Sequence, residues 1–518
     1  MGYLIGAALA TLVALIISKL WKIFMVVLWR PYALTRYFRK QGITGPPYSI
    51  VEGSLPEIKR MMKDARGKVM DTHSHDILPM VLPHYHTWSS LYGETFLYWY
   101  GTQPRVCISD PELVKQILSN KFGFFQKQKT RPSVETLIGK EGMVLLNGLE
   151  WVKHRRILNP ALSMDKLKIM IKRIAACTIS LLDEWERQAS DSPKKIQMNE
   201  EFQGLTSDII AHTAFGSSFV QGRETFNAQK ELQKLIVATS ADVFIPGSQY
   251  LPTPTNLKIW KLGRKIKKPL KQIIESRLHS KSTRDTTDWP YGDDLLGVMI
   301  EAAKTNTGPK LNMNEIMDEC KTFFFAGHET TSNLLTWTVF LLSLYSEWQE
   351  KLREEVLQNC GMGIPDADML SKLKLLNMVL LETLRLYCPI VLLIRETSKD
   401  MKLGNLMIPK DTCVTIPITK IHRIKEYWGE DANEFNPLRF INGVSKAAKH
   451  PNALLGFSIG PRACIGQNFA MLEAKTVMTL IIQRFSWFPS SDYKHAPANN
   501  LTMQPQYGLP IIVKPLDV

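Results

Sequence analysis

The sequence predicts a mainly α fold with a minor β-sheet region (α+β), built as a single large domain with an N-terminal transmembrane helix. Apolar residues recur at three- and four-residue steps through most of the chain. Strand-like pieces are few and short. One long uncharged apolar run lies at the start. Composition agrees with this class. The 518 residues are 45% hydrophobic and 22% charged, enough for a large core and unlike a disordered chain.

Residues 3–18 carry no charge, and Lys19 and Lys22 follow before a second apolar run over 23–29. About 16–18 apolar residues at about 1.5 Å each span roughly 24–27 Å, close to a thin bilayer. The two lysines can snorkel to the interface. A cleaved signal peptide is basic before its apolar stretch, whereas here the basic residues come after it, so the run reads as a retained anchor. The positive-inside rule then places the remainder in the cytosol, at the endoplasmic reticulum membrane. Residues 21–29 form either part of the span or a piece lying in the interface. Arg30, Arg36, Arg39 and Lys40 precede Gly45-Pro46-Pro47, which cannot continue a helix and reads as a stiff hinge. The expected organisation is an anchor over 1–29, a basic segment and Pro-rich hinge over 30–48, and one globular domain over 49–518.

Within that domain, helical periodicity covers 110–120, 148–158, 166–188, 201–215, 314–345, 348–357 and 374–387. Strands are expected at 95–100, 105–108, 412–417 and 509–513. Residues 252–254 and 305–309 read as surface loops. The formal net charge of +15 suits nucleic acid, anionic lipid or an acidic protein. No block of five basic residues and no nucleic-acid module is present, so nucleic-acid binding is set aside. Seven cysteines, an odd number without a CxxC pair, argue against a disulfide framework or a zinc ribbon. His73, His75, His84 and His86 lack the convergent spacing of a zinc site and read as a polar surface.

The strongest local signal is Phe457-Ser458-Ile459-Gly460-Pro461-Arg462-Ala463-Cys464-Ile465-Gly466. Glycines four residues before and two after Cys464 allow a tight turn and close approach to a flat ring. A helical pattern follows, so the sulfur lies at a helix N-terminus, where N–H groups and the helix dipole favour thiolate. Arg462 can pair with a carboxylate, and Phe457 can pack beside the sulfur. This loop resembles the haem-binding signature of the cytochrome P-450 superfamily, Phe-x-x-Gly-x-Arg-x-Cys-x-Gly. The resemblance implies the cytochrome P-450 fold, haem b (iron protoporphyrin IX), and Cys464 as the axial thiolate ligand of its iron.

Further motifs follow in the order the resemblance implies. Glu382-Thr383-Leu384-Arg385 looks like the family's Glu-x-x-Arg, and Phe435-Asn436-Pro437-Leu438-Arg439-Phe440 resembles the segment supplying a second arginine. Glu382, Arg385 and Arg439 are then expected to form a buried structural network behind the cysteine loop. Ala326-Gly327-His328-Glu329-Thr330-Thr331 resembles the oxygen-activation motif. In that reading Gly327 opens space over the iron, Thr330 hydrogen-bonds dioxygen or a water, and Glu329 relays protons. His328 sits at a variable position and is not expected to ligate iron. Trp151 and Arg155, four residues apart on one helical face, resemble the Trp-x-x-x-Arg motif expected at a haem propionate. Arg395 matches another propionate-binding position.

The resemblance covers nearly the whole chain. Trp29-Arg30-Pro31, Gly93-Glu94-Thr95-Phe96 and Gln504-Pro505-Gln506-Tyr507-Gly508 resemble one plant clan, which includes brassinosteroid-inactivating and cytokinin hydroxylases, secologanin synthase and fatty-acid hydroxylases. It implies a membrane-bound monooxygenase that takes O2 and NADPH-derived electrons from NADPH-cytochrome P-450 reductase. The substrate is expected to be a lipophilic small molecule: a terpenoid, steroid, fatty acid or hormone. Phe325, Ala326, Ile390, Val391 and Met503, with segments 130–146 and 244–251, are expected around it. Lys153, Arg155, Arg156, Lys166, Lys168, Lys446 and Lys449 are the expected basic dock for the reductase. Two alternatives are a haem-thiolate lyase or isomerase acting on a hydroperoxide, and a non-catalytic haem protein. Thr330 and the anchor weigh against the first, and the Glu329–Thr330 pair weighs against the second.

Overall fold

The computed structural model describes residues 2–189, 192–216, 219–279, 291–292, 294–304 and 308–516. Among the described residues helix dominates, with four small sheets, as the periodicity predicts. The centre of the molecule is the helix Met313–Leu344. It starts in a capping box: the Asn312 side chain accepts from the Glu315 N–H at 2.9 Å, and the Glu315 carboxylate accepts from the Asn312 N–H at 2.7 Å. Most of its residues are buried, as expected of a helix surrounded by core rather than lying on it. Helix Met198–Phe215 packs along it, and Gln467–Arg484 packs between it and Met164–Gln188.

The largest sheet runs in the order Leu97–Tyr100, Gln103–Cys107, Cys413–Ile416, Leu393–Thr397 and Phe125–Gln126. Its pairs are antiparallel except Gln103–Cys107 with Cys413–Ile416, which is parallel. Pro510–Pro515 forms a separate sheet with Lys194–Gln197 and Phe485–Pro489. One apolar cluster surrounds the central helix and a second backs the large sheet.

Helices expected at 148–158 and 374–387 appear as Gly148–Leu158 and Lys374–Leu386. Phe219–Thr239, Pro254–His279 and Leu295–Lys304 are additional helices. Pro254 therefore opens a helix rather than completing a loop, since proline is tolerated in a first turn. Of the other expected loop, residues 305–307 lie outside the described residues. Gly2–Arg39 is one apolar helical run with a π-turn segment at Met25–Trp29, and its spanning stretch is unburied by the globule. All seven cysteines are free.

The four-histidine segment is only half a polar surface. His73 and His86 are exposed, but His75 and His84 are buried. Tyrosine hydroxyls take both ring nitrogens of His75, and aromatic rings surround His84. The polarity of His75 is satisfied inside the core, whereas His84 Nδ1 is buried without a hydrogen-bond partner among the described residues; local sequence reveals neither. Burial holds His75, His84 and His422 down to about 3, and His495 to about 4. Unfolded histidine takes up a proton near its ordinary value of about 6.5, whereas the folded rings stay neutral until far lower pH. Their contribution is thus complete above about pH 6.5 and is lost as pH falls towards 4, at up to ~1.4 kcal/mol per pH unit per ring. Urea midpoints measured between pH 7 and 4 are expected to fall steeply; a flat profile contradicts neutral buried rings.

Candidate functional site

Cys464 lies two residues before Gly466, the N-cap of the helix Gln467–Arg484. Its loop is tied by the Cys464 N–H donating to the Phe457 carbonyl at 2.9 Å and the Ala463 N–H donating to Gly460 at 3.0 Å. Gly460 is required: its φ is +76°, and a Cβ there would stand 2.3 Å from the Leu118 carbonyl oxygen. Phe457 is half-buried and packs against the main apolar cluster. Cys464 itself is solvent-accessible. Protein surroundings push its thiol up, while the Gly466 N–H and the Arg155 charge pull it down. Arg155 donates to the Ala463 carbonyl at 3.0 Å, so it braces the cysteine loop from the Gly148–Leu158 helix.

A cationic cluster forms nearby. Strand Phe125–Gln126 runs antiparallel to Leu393–Thr397 with Gln126 opposite Glu396, and continuing that register sets Lys127 against Arg395. Asn147 joins Arg462 to the pair: its side chain accepts from the Lys127 N–H at 2.8 Å and from Arg462 Nη2 at 3.2 Å. Arg462 also donates to the Leu146 carbonyl at 2.6 Å and lies 4.6 Å over the Trp151 ring. Trp151 thus supports Arg462 through its face, a contact that helix spacing does not foretell. Burial lowers Arg395 and Arg462 to about 10, and the charge of Arg395 adds to the shift on Arg462. Lys127 is lowered by burial and then by both arginines. Among the described residues no carboxylate pairs with any of the three. Gathering three cations this way is unfavourable without an anion, and the donor set matches a ring bearing two carboxylates beside a cysteine. These residues fit a haem, whose propionates Lys127, Arg395 and Arg462 would hold and whose iron Cys464 would bind. Lys127 was not legible in the sequence as a member of the site, because its place depends on strand register.

Behind the loop lies the expected charged network. Arg385 donates to Glu382 through Nε at 2.7 Å and Nη2 at 2.8 Å, and Arg439 Nε reaches the same carboxylate at 3.4 Å. Arg385 and Glu382 are fully buried. The remaining Arg385 donors go to the carbonyls of His422, Ala432 and Glu434. His422, absent from any motif, then links network to loop. Its Nδ1–H donates to the Arg385 carbonyl at 2.9 Å, and its Nε2 accepts from the Leu455 N–H at 2.8 Å, two residues before Phe457.

On the central helix, Thr330 is half-buried and donates to the Ala326 carbonyl at 2.7 Å. Glu329 is buried and faces elsewhere. Its Oε1 accepts from Gln233 at 3.0 Å, Thr502 at 2.6 Å, Asn333 at 3.4 Å and the Gln504 amide. Gln233 and Gln504 also line a polar cavity of about 300 Å³ with Lys230, Lys234 and Arg66. His328 points into Phe226, Phe324 and Phe325, its Nδ1 against the Phe324 carbonyl. Gly327 does not open the helix, which is unbroken here. A Cβ at Gly327 would meet Ile210 Cδ1 at 2.7 Å, so its smallness lets helix Met198–Phe215 come close.

Phe325, Ala326 and Ile390 are partly accessible, whereas Val391 and Met503 are buried. Met503 is pinned through its backbone, by its N–H to Pro389 and by Trp337 Nε1 to its carbonyl. Segment 244–251 does not line the interior: Phe244, Ile245, Tyr250 and Leu251 are exposed. The basic dock is also smaller than expected. Lys153 is held by Glu150 and Glu315, each at 2.6 Å, and Arg155 by Ala463, which leaves Arg156, Lys168, Lys446 and Lys449 exposed.

The family model described as Cytochrome P450 matches residues 76–512. The protein named Cytochrome P450 709B1 of Arabidopsis thaliana is 54% identical over 525 residues, covering 100% of both chains. Cytochrome P450 734A1 of the same plant is 43% identical over 94% of this chain and 93% of its own. A cytokinin hydroxylase, also from Arabidopsis thaliana, is 39% identical over 98% of each.

Glu382→Gln removes the shared counter-charge of two buried guanidiniums. It is expected to lower stability by about 3–5 kcal/mol, read from chemical denaturation. A loss below about 1 kcal/mol, the range of an exposed pair, contradicts the buried network.

Proposed function

The chain belongs to the cytochrome P450 family and is a haem monooxygenase, and on that premise we propose that it oxidises a lipophilic small molecule with O2 and NADPH-derived electrons. The electrons come from NADPH-cytochrome P-450 reductase, at the endoplasmic reticulum membrane. The observation that carries this reading is the union of an accessible cysteine with a cluster of three cations that no carboxylate among the described residues pairs. Bound there, haem supplies the activation of dioxygen for transfer of one oxygen atom to substrate. The chain's own residues hold the ring and manage protons. Cys464 would give the iron its thiolate, since a bound cation deprotonates a thiol that the surroundings otherwise keep neutral. Arg155 stays beside that sulfur and favours its charged form.

Thr330 supplies a hydroxyl on the pocket side of the central helix. It donates to a helical carbonyl but retains lone pairs for a water or substrate oxygen. Consecutive helical residues point about 100° apart, so Glu329 faces away from Thr330 towards the polar cavity. Protons from that cavity reach Glu329 between Gln233 and Gln504, and pass to the Thr330 side by rotation of the carboxylate or through one water. The apolar character of Phe325, Ala326, Ile390, Val391 and Met503 supports a terpenoid, steroid, fatty acid or hormone as substrate. A relative named for cytokinin hydroxylation supports the hormone end of that range. Exposed Arg156, Lys168, Lys446 and Lys449 support docking of an acidic reductase, and the apolar run within Gly2–Arg39 supports anchoring.

Reduced, CO-bound protein is expected to absorb at the position characteristic of a haem thiolate, and Cys464→Ala to abolish that band. A histidine-type spectrum in the wild-type protein contradicts the ligand assignment. Thr330→Ala is expected to keep the band but release more peroxide per NADPH consumed; unchanged coupling contradicts the proton role. The rate of electron transfer from the reductase is expected to fall as salt rises, because exposed charges are screened over about 10 Å at 0.1 M ionic strength.

A further inference from the structure

Five ring side chains outside the candidate site form one hydrogen-bonded row. Tyr493 Oη lies 2.8 Å from His495 Nδ1, and His495 Nε2 lies 3.3 Å from Tyr387 Oη. Tyr387 Oη lies 2.8 Å from His75 Nδ1, and His75 Nε2 lies 3.0 Å from Tyr345 Oη. The inner three rings are buried, while Tyr345 and Tyr493 at the two ends are partly exposed. Burial keeps both imidazoles neutral and both Tyr387 and Tyr493 protonated. Donation then runs in one sense along the row, either from Tyr493 towards Tyr345 or the reverse, and Tyr387 donates to an imidazole nitrogen in both: to His75 Nδ1 in the first and to His495 Nε2 in the second. The Tyr387 proton therefore points at the lone pair of a neutral imidazole.

The row also touches the helix that carries Thr330. The Trp337 ring stacks on Tyr387, with centroids 4.4 Å apart and planes at 17°. Trp337 follows Thr330 by seven residues, two turns, on one helical face and about 10 Å along the axis. A row of ring side chains in contact thus leads from Trp337, on the helix that carries Thr330, to the partly exposed Tyr345 and Tyr493.

We propose that Trp337, Tyr387 and the flanking histidines and tyrosines form a redox relay that drains oxidising equivalents from the haem when no substrate consumes them. This rests on the haem reading above. The oxidant is the one-electron oxidant generated at the haem by dioxygen or peroxide. Tyr387 loses one electron to it through Trp337, and its phenolic proton passes to His75 Nδ1, leaving a neutral tyrosyl radical and an imidazolium. Tyr345 then returns an electron to Tyr387, which recovers its proton from His75, while the Tyr345 proton leaves to solvent. A thiol or ascorbate at the surface supplies the electron and proton that restore Tyr345. Tyr493 offers the same exit through His495.

The test mixes the ferric holoprotein with hydrogen peroxide without substrate, freezes it, and records electron paramagnetic resonance. An organic radical is expected, with hyperfine structure that narrows when the protein carries ring-deuterated tyrosine. Tyr387→Phe keeps the stacked ring and is expected to lose that signal and to bleach its haem faster. A wild-type radical insensitive to tyrosine deuteration, no organic radical, or the same radical in Tyr387→Phe overturns the relay. The reduced CO spectrum of each sample separates the two readings. Absence of the thiolate band overturns the proposed function, whereas an intact band without a tyrosyl signal overturns the relay alone.

Discussion

The buried guanidinium of Arg385 is the constraint on which the site depends. A fully buried charge is tolerated only when every donor is used and the charge is balanced. Arg385 meets this by binding Glu382 on its own helix and the carbonyls of His422, Ala432 and Glu434. Segments distant in sequence must therefore converge on one point. His422 carries the constraint forward, because its Nε2 holds the Leu455 N–H at the head of the cysteine loop. Neutral imidazole is essential there, since protonated Nε2 cannot accept that bond. Burial secures the neutral form.

Once the loop is fixed, electrostatics sorts the surroundings of Cys464. Arg155 stands on the loop side and favours thiolate, while Lys127, Arg395 and Arg462 concentrate positive charge against Asn147 and Trp151. The acid of the central helix is kept apart from both. Neutral amides and hydroxyls from Gln233, Asn333, Thr502 and Gln504 hold the Glu329 carboxylate on the side of the polar cavity. Neutral donors position the group without setting a counter-charge beside it.

Much of this was legible in the sequence, for a physical reason. Gly148–Leu158 and Met313–Leu344 carry strong local periodicity, and Cys464, Glu382 and Arg385 sit in motifs whose chemistry depends on near neighbours. What stayed hidden depends on distant contacts. Helix Pro254–His279 is rich in lysine and contains Pro269, which blurs its periodicity. Lys127 joins the site only through strand register, and His422 only through two backbone bonds to remote segments. His75 looks polar in sequence because its partners are tyrosines far along the chain, and His84 because nothing local shows that Tyr85, Trp88 and Tyr98 enclose it. Gly327 shows the reverse case: the motif was legible but its reason was not, because Ile210 lies on another helix.

The central claim is that the Lys127–Arg395–Arg462 cluster and Cys464 together hold a ring bearing two carboxylates. The most direct measurement compares binding of haem with binding of its dimethyl ester, which keeps the iron and ring but removes both negative charges. Haem is expected to bind far more tightly, with the difference shrinking in Arg395→Gln. Equal affinity for the two would contradict the assignment of the cationic cluster to the propionates.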